Sequence, residues 1–474
     1  MFRSQLGTLV LTTALAVAVA GCNHASGTQN GGGSSAAALT TGQVGLDTPY
    51  ARVNFVKNGV PGSTMQLNYA YSSAAFHDPS EPPTQVWTIG DRGPNFGCTD
   101  TNSTGQLYTG IKDFCTRADG TVDKKGVIFP TPGYVSTLNH IRIEKNADGK
   151  LTATLLEQIG LHDAQGNYVT AVAIPGVGLS APYDAHGQPL PYDPNGIDAE
   201  GLARLPDGSF WLSEEYAPSL LHVSANGQVL ERVVPAGIAA RLTAAGATYP
   251  VVDGLPAILA MRKKNRGIED LSVSPDGKTL YFSLQSPLAN PDKDAYTYSR
   301  NVRFLVASLK VDGGFDQVSH EYVLLLDTPD TFADDPGSDQ HDVKLSDLTV
   351  LPGGRPVIDE RISHTTKLER IDFSRATDIL GSKWDDLATS PSLEQTDLST
   401  AAAQAAAGVT PTHNMVVFDS SRYAQATGIQ LPTKIEGVAI LNDKYVLLGN
   451  DSDFGIDGAS TVFTVLPIAA DLAQ

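Results

Sequence analysis

One phrase, repeated along the chain, limits what this sequence can fold into. From Asp198 to Tyr216 it runs from an acid-glycine head (Glu200, Gly201) through a short apolar run to Pro206-Asp207-Gly208. A second run rich in β-forming residues follows and ends in Glu214 and Glu215. Proline fixes φ, aspartate bonds its own backbone and glycine accepts positive φ, so the phrase predicts a β-hairpin with carboxylates at its open end.

The hairpin recurs. Gly267 to Gln285 has its head at Glu269 and its turn at Pro275-Asp276-Gly277. Lys344 to Arg361 has Asp347 at the head, Pro352-Gly353-Gly354 at the turn, and Asp359, Glu360 and Arg361 at the tail. Lys434 to Asp453 has Glu436-Gly437 at the head, Asn442-Asp443 at the turn, and Asp451 and Asp453 at the tail. Val86 to Arg92, with Asp91 before the arginine, reads as the second strand and tail of an earlier copy. Such copies call for a repeat architecture. Repeated hairpins with irregular connections predict an all-β fold, a β-propeller of five or six irregular blades with loop and helical insertions, the Ala-rich stretch 401–407 among them. The heads and tails then converge on a central channel.

Outside the repeats the chain divides simply. Residues 1–21 carry Arg3, an apolar run and small residues before Cys22, which predicts a lipoprotein signal peptide with Cys22 as the lipidated residue. Residues 22–45, of Gly, Ser, Ala and Thr, predict a flexible tether, leaving 46–474 as one domain. The expected location is the periplasmic side of the outer membrane, with the lipid anchor as the sole membrane contact and the protein a monomer. Cys98 and Cys115 form an even pair in an exported chain and are expected to be a disulfide. A formal net charge of −19 and the lack of a basic stripe exclude nucleic acid as a partner.

The phrases Asp-Ala-Glu-Gly-Leu at 198–202, Asn-Arg-Gly-Ile-Glu-Asp-Leu at 265–271, Lys-Ile-Glu-Gly-Val-Ala at 434–439 and Asn-Asp-Ser-Asp-Phe-Gly at 450–455 carry a family resemblance. In that order they resemble the exported bacterial phytase-like family labelled for the esterase-like activity of phytase. The resemblance spans about residues 60 to 467 and implies a propeller-like, calcium-dependent hydrolase. Asp347 departs from the pattern, standing where the other heads have glutamate.

The residues themselves point to a hard cation. Asp91, Glu200, Glu269, Asp347, Glu436 and Asp451 would crowd a channel, and oxygen ligands at that density suit Ca²⁺. Arg92, Arg266 and Arg361 stand beside acidic ends, as phosphate clamps or as ion-pair partners that neutralise the ring. With Glu214 to take a proton, these arginines form the expected catalytic set, and the expected substrate is a small anionic phosphate ester.

No Gly-x-Ser-x-Gly elbow, His-Glu-x-x-His motif, Walker loop or dinucleotide fingerprint occurs. The reading is an exported calcium-dependent phosphoric ester hydrolase. A calcium-dependent lactonase or carboxylic esterase, and a non-catalytic cell-envelope binding propeller, fit the same acids.

Overall fold

Five largely antiparallel β-sheets form the framework of the computed structural model, which describes residues 39–100, 108–176 and 180–468. The sheets follow one another in sequence. The first contains Ala74–Phe76, Gln85–Ile89, Thr137–Lys145 and Leu151–Gly160. The second runs Ala199–Arg204, Phe210–Glu214, Ser219–Val223 and Val229–Pro235, with Val251–Leu255 added in parallel at its outer edge. The third is Ile268–Val273, Thr279–Leu284, Asn301–Leu309 and Phe315–Leu325. The fourth is Lys344–Val350, Pro356–Arg361, Thr366–Asp372 and His413–Asp419. The fifth takes Ile435–Ile440, Tyr445–Asn450 and Val462–Pro467, then Gly42–Gly45 from the other end of the chain.

The first strand of each sheet packs against the first strand of the next, and that of the fifth packs against that of the first, so the sheets close a ring. Gly42–Gly45, expected as the end of the tether, is instead a strand paired with Val462–Val465. The signal peptide, Cys22 and residues 22–38 lie outside the described residues.

Each hairpin closes as its turn residues dictate. Gly208, Gly277 and Gly354 have φ of 87°, 70° and 80°, the left-handed conformation that disfavours a side chain. Asp207 accepts the Ser209 backbone N–H at 2.9 Å, closing the turn by a side-chain bond.

Apolar side chains fill the wedges between neighbouring sheets. Leu202, Phe210, Leu212 and Leu221 of the second sheet meet Ala74, Trp87, Ile89 and Leu138 of the first. Ala439, Leu447, Phe463 and Val465 of the fifth meet Ala75, Val86 and Ile141. Burying a Leu or Phe side chain contributes about 1.5–3 kcal/mol, so these wedges hold the ring shut. At the ring's inner wall the fit is close: a Cβ on Gly201 would stand 2.7 Å from the Leu271 backbone nitrogen of the next sheet.

Two additions flank the ring. Pro49–Lys57 and Val60–Asn68 pair as a separate hairpin. Phe96–Gly97, Val127–Ile128 and Pro182–Tyr183 form a small sheet. Cys98 and Cys115 are disulfide-bonded next to it, and both are buried. The stretch 383–409 contains a 3-10 turn at Lys383–Asp385 and a helix at Ala401–Ala407. It is pinned to the third sheet by Arg303, which meets Glu321 at 2.6 Å, Asp385 at 3.0 Å and Glu394 at 3.2 Å.

Candidate functional site

Four of the five inner strands share an irregularity that builds the site. Register shifts in the ladder fall at Glu200-Gly201, Glu269, Ser346-Asp347 and Glu436. A bulge leaves an extra residue unpaired and re-aims its side chain. Aligned on these bulges, Ser346 is the fourth sheet's counterpart of the three glutamates, and Asp347 corresponds to Gly201, Asp270 and Gly437.

That single-residue offset takes Asp347 out of the expected metal set. Its carboxylate is fully buried and accepts backbone N–H bonds from Val438 at 2.6 Å, Leu348 at 2.8 Å and Ala75 at 3.2 Å. Its oxygens are occupied by peptide donors of the first, fourth and fifth sheets. Glu214 is also turned away. It accepts from the Ala217 N–H at 2.7 Å and the Asp198 N–H at 3.2 Å, and pairs with buried Arg232 at 3.2 Å. Its neighbour Glu215, on the opposite face of the strand end, pairs with Arg266 at 3.6 Å.

Asp91, Asp198 and Glu200 converge, each offering an oxygen within 4.8 Å of the others. Neither oxygen of Asp198 meets an N–H donor in hydrogen-bonding geometry, although the residue is 2% exposed, and its hydrogen bond is to the Asp91 carboxyl. Among the described residues the counter-charge contact of Asp198 is Arg92, at 3.3 Å. Burial raises Asp198 to about 7, Arg92 opposing and Glu215 adding to the rise. Asp91 is pushed well above the carboxylate range by burial and then by Asp198, and Glu200 by burial and then by Asp91 and Glu269. Glu269 rises to about 8 through burial and then Glu215, and its Oε2 has no partner.

The fourth and fifth sheets bring basic groups beside these acids. Arg361 is buried, meets Glu436 in an ion pair and donates to the Ser346 hydroxyl at 2.5 Å. Lys344 is held well below the ordinary lysine value by burial and then by Arg361 and Arg266. Lys434 bonds Asp451 and Asp453 at 2.7 Å each. Burial raises Asp451, but the Lys434 charge and the hydrogen bonds from Lys434 and Asp453 together outweigh it and leave the carboxyl below its usual value. Asp453, pushed up by burial and then by Asp451, reaches about 7.

Of the six expected metal ligands, Asp91 and Glu200 therefore lie together. Glu269 is within electrostatic reach of Glu200, whereas Asp451 faces Asp91 but is neutralised by Lys434. Glu436 is taken by Arg361 and Asp347 by peptide groups. Asp198 completes the cluster. Its signal was present, since residues i and i+2 of a strand share a face and Asp198 stands two before Glu200. Lys344 carried no such signal, because its role depends on which blades meet across the ring.

Outside the acid cluster opens a cleft of about 690 Å³ lined by Arg92, Asn95, Asp100, Tyr108, Lys124, Lys125, Lys264, Asn265 and Asp453. Arg92 joins cleft to cluster. Its guanidinium stacks on Tyr216 at 4.4 Å and donates to Asn95 Oδ1 at 2.9 Å, which fixes its plane. An acidic floor beneath three lysines and an oriented arginine can hold a cation and an anion side by side.

The family described as "Phytase-like: Esterase-like activity of phytase" matches residues 130–454. An uncharacterized secreted protein of Arthroderma benhamiae is 31% identical over 179 residues, 35% of this chain and 35% of that protein. The match thus spans about a third of that relative's length. Among solved structures, the Pseudomonas aeruginosa periplasmic gluconolactonase PpgL aligns over 88% of this chain and 96% of its own, at 11% identity and a TM-score of 0.29. A luciferin-regenerating enzyme aligns over 88% and 97%, at 9% identity and a TM-score of 0.31.

Proposed function

Starting from the fact that this chain belongs to the phytase-like family, we propose that it is an exported phosphoric ester hydrolase working at the mouth of a five-bladed β-propeller. The observation that carries the reading is the junction at Arg92, where buried carboxylate oxygens without N–H donors lie beneath a cleft rimmed by Lys124, Lys125 and Lys264.

Asp91, Asp198 and Glu200 fit a hard cation. Their oxygens converge, and those of Asp198 meet another carboxyl, Asp91, in place of the N–H donors a buried carboxylate otherwise takes. Calcium bound there would neutralise phosphoryl charge and acidify a water. The chain's own groups do the rest. The three lysines draw the anion into the cleft, and Arg92, held by Asn95 and Tyr216, presents a fixed planar donor pair to its oxygens. Glu215 replaces Glu214 as the proton acceptor at that strand end, because Glu214 is occupied by Arg232 and two peptide N–H groups. Glu269, raised to about 8 by burial and then by Glu215, would return a proton to the leaving oxygen.

Export is supported by the disulfide and by the secreted relative. We place the protein at the periplasmic face of the outer membrane, tethered through Cys22. Among the described residues no helix is long and apolar enough to cross a membrane.

The test is hydrolysis of a panel of phosphomonoesters, phosphodiesters and lactones by protein stripped with chelator and then reloaded with calcium. Calcium-restored release of phosphate supports the reading. Turnover of lactones alone would select a lactonase, and calcium binding without turnover of any ester would select a binding propeller.

A further inference from the structure

A second group of carboxylates lies away from the channel, where the third sheet meets the fourth. Asp327 follows the last strand of the third sheet, while Glu360 and Glu369 stand on the second and third strands of the fourth. One oxygen from each lies within 4.8 Å of the others. Strand alternation explains the placement: Asp359 and Glu360 point to opposite faces, so Glu360 leaves the channel side that the tail of its hairpin was expected to line.

The surroundings do not balance this charge. Glu360 is fully buried and Glu369 is 3% exposed. Glu360 Oε1 accepts the Asp327 backbone N–H at 2.7 Å, which clamps the side chain, while Oε2 meets no N–H donor and the carboxyl bonds that of Glu369, itself held by Asn414. The cation of the group is Lys367, whose Nζ reaches Asp327 Oδ2 at 2.5 Å. That ammonium also donates to Thr331 at 2.6 Å and sits over the Phe332 ring at 3.8 Å, so it is directed to the Asp327 side. When all three carboxylates are ionised, one ammonium opposes them and an excess of two negative charges remains.

We propose that Asp327, Glu360 and Glu369 form a structural calcium site that clasps the third sheet to the fourth. All three donors are hard oxygens, which select calcium or magnesium over softer metals, and the loosely arranged carboxylates suit the more permissive calcium shell. The side chain of Asp327 is 34% exposed and provides the entrance through which water completes the coordination. The bond across the seam joins a connecting loop to a strand, so occupancy acts on stability and leaves the channel chemistry alone.

Calorimetric titration of chelator-stripped protein with calcium alone tests this. Asp198→Asn removes a channel ligand, and Glu369→Gln or Asp327→Asn is added to that background. The expected result is that the second substitution removes one further calcium equivalent, or weakens that equivalent by at least about tenfold, since even an outer-sphere change has that effect. The calcium-induced rise in Tm should shrink in the same variants. The partly exposed Asp327→Asn keeps the test available if Glu369→Gln does not fold. Unchanged stoichiometry, affinity and calcium-induced Tm rise in the Asp327 variant overturns the proposal, because it leaves a proton shared between Glu360 and Glu369 to hold the group together. The channel reading has separate readouts in the Asp198 background and in ester turnover, so each can fail without the other.

Discussion

Asp347 accepts the backbone N–H of Val438 at 2.6 Å, joining the fourth inner strand to the fifth across 91 positions of sequence. The same oxygen takes the N–H of Ala75 from the first, so one carboxylate fastens three strands where no ladder runs. Asp347→Ala would leave three buried N–H groups without acceptors. Each costs about 1–3 kcal/mol, so denaturant unfolding should show a loss of at least about 3 kcal/mol. Calcium affinity should be unchanged in the folded fraction, which separates this role from ligation.

Glu214 and Glu215 should respond differently although adjacent. Glu214→Gln leaves Arg232, which is fully buried, facing a neutral group and should lower stability by about 3 kcal/mol in a melt. Glu215→Gln should retain the fold and lose phosphate release. Equal activity in the wild type and the Glu215 variant would remove the proton-acceptor role.

The channel acids set a pH dependence with a definite sign. Burial raises Asp198 to about 7 and Glu269 to about 8 in the folded chain, from ordinary values of 3.8 and 4.5. Between those limits the folded chain holds more protons than the unfolded one, so unfolding free energy falls as pH rises. Their contribution is fully present below the ordinary values and lost as pH passes the raised ones. Metal-free protein should melt at lower temperature at about pH 8.5 than at about pH 6. Added calcium binds the ionised carboxylates and should raise the Tm more at the higher pH. Melting curves at both pH values, with and without calcium, check this.

The lysine rim predicts a salt effect. Lys124→Gln with Lys125→Gln should raise KM for a phosphomonoester with little change in kcat, and the difference from the wild type should shrink at high ionic strength. A kcat loss at unchanged KM would place these lysines outside substrate capture.

Cys98–Cys115 closes a loop beside the cleft, and Gly126 is packed so closely that a Cβ there would stand 2.8 Å from Cys98 Sγ. Reduction, or replacement of both cysteines by serine, should cost about 2–4 kcal/mol of stability. Non-reducing peptide mapping reads the link directly.

The hairpins were legible because their turns are written in local chemistry. Pro206-Asp207-Gly208 needs no tertiary context to reverse the chain, and the half-copy from Val86 does lie on the second strand of the first sheet. The side chains were harder to read where one residue of register decides the face. A bulge moves Ser346 into the place of the glutamates and leaves Asp347 on the peptide-facing side, and no composition or period reports a bulge. The pairing of Glu436 with Arg361 likewise depends on two sheets meeting, 75 positions apart. Asp198 could have been added to the site from its spacing alone.

Gly42 pairs with Val465, so the fifth sheet is completed by strands from opposite ends of the described chain. Local hairpins can form as each emerges, but this last pairing waits for nearly the whole polypeptide, and contacts of such separation form slowly. A chain cut short near either end therefore leaves an open edge on the fifth sheet, Val462–Pro467 when residues 42–45 are lost and Tyr445–Asn450 when the chain stops before Val462. Removal of residues 42–45 and truncation before Val462 should yield similar association-prone species, one exposing what the other lacks.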